Sequence, residues 1–454
     1  SLLQPSLHSK KKTTAKKQTL SCSVKYMVCF MFSVKSETEK FVEEELCNIS
    51  MPEMMGKEGR FQYTITDVKI TELILAHAEL QFIPDVGLLF DIQNSSISLS
   101  FHRQILYWFF YDTGNINASA EGVNINTAVN LIRDHEGRLK INNITCDAKI
   151  NRMRAKFSGT LGKVYDFVAK FLTTGMRFFL NQRICPALNH AALVHVNSLL
   201  ETIPVRTEVD NYIGIDYSLI EDPVVTSRSL DMHFRGMFFD LSHQNLTLVN
   251  YAVDPIIREY DRMVYLALSE FFFDSGMFSY YTAGIFQMDI VNEKMPKDLE
   301  MLLRTTYFGT IMITVTLVDA PLALQLAVNS PPKTTIKTSG ATVFMTAIVK
   351  VMLLPPGQPA VQLSSMTLVV ISAPVYLQLI PLQAPLKTML QMSVVPLINN
   401  WTKRGVRIPL ADGMDFVEEV VEYHNGFIVI GANLHFSKGL REMMLGNTNS
   451  TTMA

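Results

Sequence analysis

The residues able to do chemistry are scattered. Ten histidines occur in 454 residues, and His190 and His195 lie five apart on one helical stretch. Two zinc ligands on a helix need i, i+4 spacing so that both imidazoles leave the same face. The pair therefore reads as surface or capping residues. There is no G-x-S-x-G elbow to present a serine nucleophile, no H-E-x-x-H helix and no glycine-rich phosphate cradle. The sequence points to a non-enzyme, with no catalytic residue, no metal set and no cofactor.

Cysteines and sequons carry more. Five cysteines are too few for a disulfide scaffold. Cys22, Cys29 and Cys47 lie near the N-terminus, whereas Cys146 and Cys185 stand 39 positions apart. Seven N-x-[ST] sequons, at Asn48, Asn94, Asn117, Asn143, Asn245, Asn400 and Asn449, lean toward a secreted glycoprotein. Asn94, Asn117, Asn143, Asn245 and Asn400 are the glycan candidates. In such a compartment a Cys146–Cys185 bridge could persist. The alternative is two free buried thiols.

Composition narrows the class. The chain is 48% hydrophobic and only 18% charged, with formal net charge −2. That balance argues against nucleic acid and against strong general attraction to anionic surfaces. The excess apolar residues form no run long enough to span a membrane. Ile311–Val328, the greasiest stretch, is broken by Thr314, Thr316, Asp319 and Pro321. The 27 Phe and 24 Met suit either a large solid core or a wide, adaptable interior. The basic run Lys10–Lys17 reads as a solvated tail. Residues 1–35 resemble no proper signal peptide and are expected to lie outside the fold.

These residues must be positioned by two kinds of element. From Phe61 to Ile150, apolar residues alternate, as in Phe61, Tyr63 and Ile65 and in Ile97, Leu99 and Phe101. Turns are expected at Pro84-Asp85, Thr113-Gly114-Asn115 and His135-Glu136-Gly137, giving an antiparallel sheet buried on one face. From Gly162 to Ile203 the spacing becomes helical: one long amphipathic helix, or two meeting at Pro186. Strands return from Val209 to Phe239. Residues 242–258 read as a linker. In the second half, Asp261 is the expected N-cap of a helix running through Met263, Leu266 and Phe271. Strands follow at Tyr307–Leu317, Leu322–Val328, Ile336–Leu354 and Val361–Ile380. A helix from Gln383 to Arg404 precedes a final hairpin turning at His424-Asn425-Gly426.

Four strings are specific: IPVRTEVDNYIGIDYSLIEDPVVTSRSLDMHFRGMFF (203–239), DRMVYLALSEFFFDSGMFSYYTAG (261–284), RTTYFGT (304–310) and GFIVIGANLHF (426–436). They resemble the family of bactericidal/permeability-increasing (BPI), lipopolysaccharide-binding and lipid-transfer proteins, with BPI fold-containing family C as the nearest likeness. The resemblance spans about residues 40–438. It implies an α+β, two-domain boomerang: each domain a twisted antiparallel barrel-like sheet wrapped by a long helix, the two joined by a central sheet. The expected divisions are 1–35, a doubtful or disordered start; 36–241, the N-terminal lipid-binding domain; 242–258, the linker; 259–438, the C-terminal domain; and 439–454, a disordered tail. The likeness also implies one phospholipid per domain, held in an apolar pocket, and a disulfide at positions that Cys146 and Cys185 match. Residues 1–35 depart from the family's start, and 363–385 are shorter than its pattern.

On that resemblance Val164, Phe167, Phe171, Met176, Leu188, Leu199 and Ile203, with Met263, Leu266 and Phe271, become candidate pocket walls. Helical pattern alone reads them as core. The family's bactericidal members carry a lysine-rich tip. The matching stretch here is HRQILYWFFYD (102–112), rich in aromatics. Trp and Tyr favour membrane–water interfaces, so Trp108 and Phe109 are expected to meet a lipid surface, with Arg103, Arg152, Arg154 and Lys156 near the headgroups; the alternative is a strand packed in the core. Expected partners are phospholipid and, weakly, lipopolysaccharide. The chain is expected to be monomeric.

Overall fold

A computed structural model describes residues 21–49, 51–58, 60–156, 162–290, 322–355, 357, 359–371, 375–377 and 414–437. Residues 1–20 and 439–454, the expected strand Tyr307–Leu317, the expected helix Gln383–Arg404, and the sequons Asn400 and Asn449 lie outside them.

The N-terminal sheet is built from Met54–Glu58, Phe61–Ile74, Gly87–Tyr107, Phe110–Arg133 and Leu139–Lys156 in chain order, with His77–Ile83 pairing the first part of Gly87–Tyr107. Its two central strands are 21 and 24 residues long, each roughly 70–80 Å of extended chain. Such strands keep one face buried only if bulges correct the parity. Phe90 and Ile92 face inward; after Asn94, at φ 51°, the inward row becomes Ser95, Ile97, Leu99, Phe101, Arg103 and Ile105. On the neighbouring strand Ile116, Ala118 and Ala120 give way to Val123, Ile125 and Thr127 across Gly122, at φ 65°. Both switches fall where the two strands slip register, so the sheet curls without turning its apolar face outward.

Two helices cover that face. Helix α1 (Val28–Cys47) contributes Val42 and Leu46 to the core. Helix α2 (Gly162–His190) contributes Leu172, Met176, Leu180, Ile184 and Leu188. Helix α2 contains Pro186 and continues through a π-helical stretch, Ala191–Val196, into α3 (Asn197–Thr202). The long element is therefore continuous, and Pro186 does not split it. Asn197 closes it onto the sheet: its side chain accepts from Ile141 N–H at 2.8 Å and donates to Ile141 C=O at 3.0 Å.

The central sheet runs Val224–Val225, Ser229–Phe234, Cys22–Met27, Val264–Ser269, Phe427–Phe436 and Met414–His424, all neighbours antiparallel. Two expectations change here. Residues 22–35, expected outside the fold, instead supply the strand that joins the two halves, and the first turns of α1. Leu266, expected on a helix opened by Asp261, lies on the strand Val264–Ser269, every residue of which is buried. Leu266 and Leu268 pack with Ile215, Phe238 and Phe272, while Tyr265 and Ala267 pack with Ile257 and Val429. A strand covered on both faces loses its period-two signature and reads as a plain apolar run. The helix follows it as α4 (Glu270–Thr282), with Phe271 and Phe272 buried.

A small sheet, Met237–Asp240, Ile213–Asp216 and Arg206–Glu208, sits against α4. The C-terminal sheet runs Gln287–Ile290, Leu322–Val328, Gly340–Leu353, Val361–Ile371 and Val375–Leu377, with Lys333–Lys337 folded onto Gly340–Leu353. The expected strand Ile336–Leu354 is thus a hairpin. The last hairpin turns at Asn425-Gly426, as its sequence predicts, with Gly426 at φ 90°. Gly426 also donates to Ile336 C=O at 3.0 Å and accepts from Glu270 N–H at 3.0 Å, binding the central sheet to α4 and the C-terminal sheet.

Candidate functional site

The end of the N-terminal sheet carries five consecutive aromatic residues. Tyr107 pairs with Phe110, so Trp108 and Phe109 form a two-residue turn. The expected turn at Thr113-Gly114-Asn115 lies inside the strand Phe110–Arg133. The signal was hidden because the turn lacks its usual residues. Trp108 takes φ 59° at the first turn position, where glycine is normal. This conformation is strained for a bulky side chain and keeps both rings off the sheet. Trp108 is 63% exposed and Phe109 81%, with Tyr107, Phe110 and Tyr111 also open. Arg60 braces the turn: its carbonyl accepts from Trp108 N–H at 3.1 Å, and its guanidinium lies 4.9 Å from the indole centroid. Sequence reading missed Arg60, because only strand register brings residue 60 beside residue 108.

Behind the tip, the interior closes under α2. Met176 and Leu188 are 1% and 6% exposed and pack among Leu172, Leu180 and Ile184. Both are packed as core. Leu199 and Ile203 remain half-buried. Leu266 belongs to the cluster between central sheet and α4, Phe271 is buried on α4, and Met263 packs beside Val264 and Leu434. None of these three shares a wall with α2. Val164, Phe167 and Phe171 lie on α2, but their side chains are outside the described residues.

The candidate cations separate. Arg103 stands in the inward row at 5% exposure and donates to Asp112 Oδ2 from Nε at 3.0 Å and Nη2 at 2.6 Å. A headgroup cannot reach it. The alternation through Ile97, Leu99 and Phe101 already pointed inward. Arg152 and Arg154 are exposed and frame a recess of about 310 Å³ with Asn151, Thr173, Thr174 and Arg177. Glu121 lies 3.5 Å from Arg154 and opposite Arg152 in register. Arg177, which sequence reading did not single out, projects from α2 and donates to Asn151 C=O at 3.3 Å. The Lys156 side chain is outside the described residues.

Cys146 and Cys185 form a disulfide with Cα atoms 5.5 Å apart, stapling Leu139–Lys156 to α2. Asn94, Asn117, Asn143 and Asn245 are exposed, as is Asn48. Burial pushes the Cys22 thiol up to about 12, leaving it protonated and unreactive. His190 and His195 meet edge to face, 5.4 Å between centroids. No helix among the described residues is long and apolar enough to cross a membrane.

Comparison with known proteins matches both halves of the chain. The N-terminal domain of the LBP / BPI / CETP family matches residues 33–203, and the C-terminal domain matches 207–379 and 372–436. The chain is 51% identical to phospholipid transfer protein of Homo sapiens, over 94% of this chain and 92% of that protein. It is 22% identical to BPI fold-containing family C protein of Homo sapiens, over 89% and 86%, so the transfer protein is much the nearer of the two. A crystal structure of lipopolysaccharide binding protein superposes with TM-score 0.65 at 20% identity, covering 92% of this chain and all of that one. That likeness fixes the two-domain α+β fold. From its first sheet to its last hairpin, this chain belongs to the LBP / BPI / CETP family.

Proposed function

We propose that the protein is a secreted carrier that binds phospholipid by its acyl chains, meets lipid surfaces with the aromatic tip, and catalyses no reaction on its cargo. The exposed Trp108–Phe109 turn carries this reading. A soluble fold gains nothing by holding two large rings in solvent on a strained backbone, whereas an interface rewards it. The similarity to a protein named for phospholipid transfer supports the same cargo. Acyl burial contributes about 0.8 kcal/mol per methylene, so no specific polar chemistry is needed to hold the tails. Leu199 and Ile203, half-buried on the same long element, remain candidates for contact with the tails.

The Arg152–Arg154–Arg177 recess suits a phosphoryl group and gives a lipopolysaccharide reading a foothold. Glu121 beside it, net charge −2 and a tip with few cations predict weak, salt-sensitive binding. The test is partitioning onto phosphatidylcholine vesicles, with transfer of a fluorescent phosphatidylcholine between them. Trp108→Ser with Phe109→Ser should lower vesicle partitioning at least tenfold, since each lost ring removes on the order of 100 Å² of buried apolar area at about 25 cal/mol per Å². Unchanged partitioning would refute the tip's role.

A further inference from the structure

Away from the tip, three ligand-type side chains converge where the linker meets the last hairpin. Glu259 immediately follows the linker. Glu422 and His424 stand two apart on the edge strand Met414–His424, so their side chains leave one face. One donor atom from each lies within 4.8 Å of the other two. His424 Nε2 is 3.1 Å from Glu259 Oε1 and 3.9 Å from Glu422 Oε2. Nε2 is buried, yet it makes no hydrogen bond. Glu259 Oε2 accepts from Arg258 N–H at 2.8 Å, which leaves Oε1 for the imidazole side. The ring is held flat on Phe427, with centroids 4.9 Å apart and planes at 11°.

A simple ion pair would put a proton on Nε2 and aim it at Oε1. The 3.1 Å contact without a hydrogen bond is the arrangement of two ligands facing a common third body. We propose that Glu259, Glu422 and His424 form a three-ligand site for a divalent transition ion of the zinc class, completed by water. With metal–ligand distances of about 2.0–2.2 Å in a tetrahedron, ligand atoms stand roughly 3.3 Å apart. The His424–Glu259 separation already fits, and the Glu422 side chain, 51% exposed, is free to close the rest. One imidazole and two carboxylates suit such an ion better than Ca²⁺ or Mg²⁺, which take six or more oxygens. The bound ion ties the linker to the hairpin that runs beside both halves in the central sheet, and its role is structural.

The untagged full chain, stripped with chelator, is titrated calorimetrically with ZnCl2, with MgCl2 and CaCl2 as controls. One equivalent of Zn²⁺ should bind, and Tm should rise by about 3 °C at a hundredfold excess over Kd. Co²⁺ in its place should give the d–d absorption of a four-coordinate ion. Glu422→Gln, at an exposed position, should keep the metal-free Tm and weaken Zn²⁺ at least tenfold, and His424→Gln should abolish the equivalent. Absence of saturable Zn²⁺ binding would overturn the site. So would an affinity unchanged in Glu422→Gln and His424→Gln.

Discussion

The aromatic tip and the central strand Val264–Ser269 are made of similar apolar residues and meet opposite fates. Trp108 and Phe109 stand in water, while Tyr265 and Ala267 are 2% and 0% exposed. The tip closes a three-stranded end of the sheet, where Phe61 pairs with Tyr107 and Tyr107 with Phe110, and no element among the described residues covers its rings. The central strand has a neighbour on each side, the small sheet and α4 on one face and the linker on the other. Hydrophobicity supplies the demand for burial, and topology decides which residues obtain it. In the tip that demand goes unmet, which is why it is the proposed lipid-facing surface.

Breaking the buried side of this contrast should cost most. Ala267→Asp places an unpaired charge where nothing polar can answer it, and should destabilise by about 4 kcal/mol or more and leave little folded protein, read by denaturant unfolding and secretion yield. Next comes the staple between sheet and helix. Cys146→Ser with Cys185→Ser frees a loop closed across 39 positions, worth about 3–4 kcal/mol by chain entropy. Thermal unfolding should show the loss, with the α2–sheet unit opening first in hydrogen exchange.

A smaller effect has the opposite sign. Burial raises the Asp274 carboxyl above its usual range, against the pull of Thr334 N–H, which it accepts at 2.6 Å. A carboxylate with a raised folded pKa binds its proton more tightly when folded, so its ionisation removes stability as pH rises through the folded value. Asp274→Asn keeps the acceptor and should be neutral at acid pH and slightly stabilising at neutral pH; a pH series of Tm values checks the crossover. The smallest effect is the sharpest test of the contrast. Trp108→Ser with Phe109→Ser should change stability by no more than about 0.5 kcal/mol while vesicle binding falls. A large loss of Tm would make the tip a structural element.

Much was legible before folding. Alternation gave the N-terminal sheet, helical spacing gave 162–202, and Asn425-Gly426 gave the final hairpin. The misreadings share a cause. Arg103 looked like a surface cation, yet bulge-corrected parity turns it onto Asp112. Met176 and Leu188 looked like either core or pocket wall, and helical period cannot tell a filled interior from a hollow one. The strand Cys22–Met27 looked like stray sequence, because its partners lie over 200 residues away.

The sequence by itself determined the local elements, the family, and the aromatic character of residues 107–111, because these depend on neighbours within a few positions along the chain. Only the tertiary structure decided that Trp108 and Phe109 form the turn, that residues 22–27 join the two halves, and that Glu259 meets His424. Those pairings are set by strand register and by which faces are covered, and both depend on contacts between residues far apart in sequence.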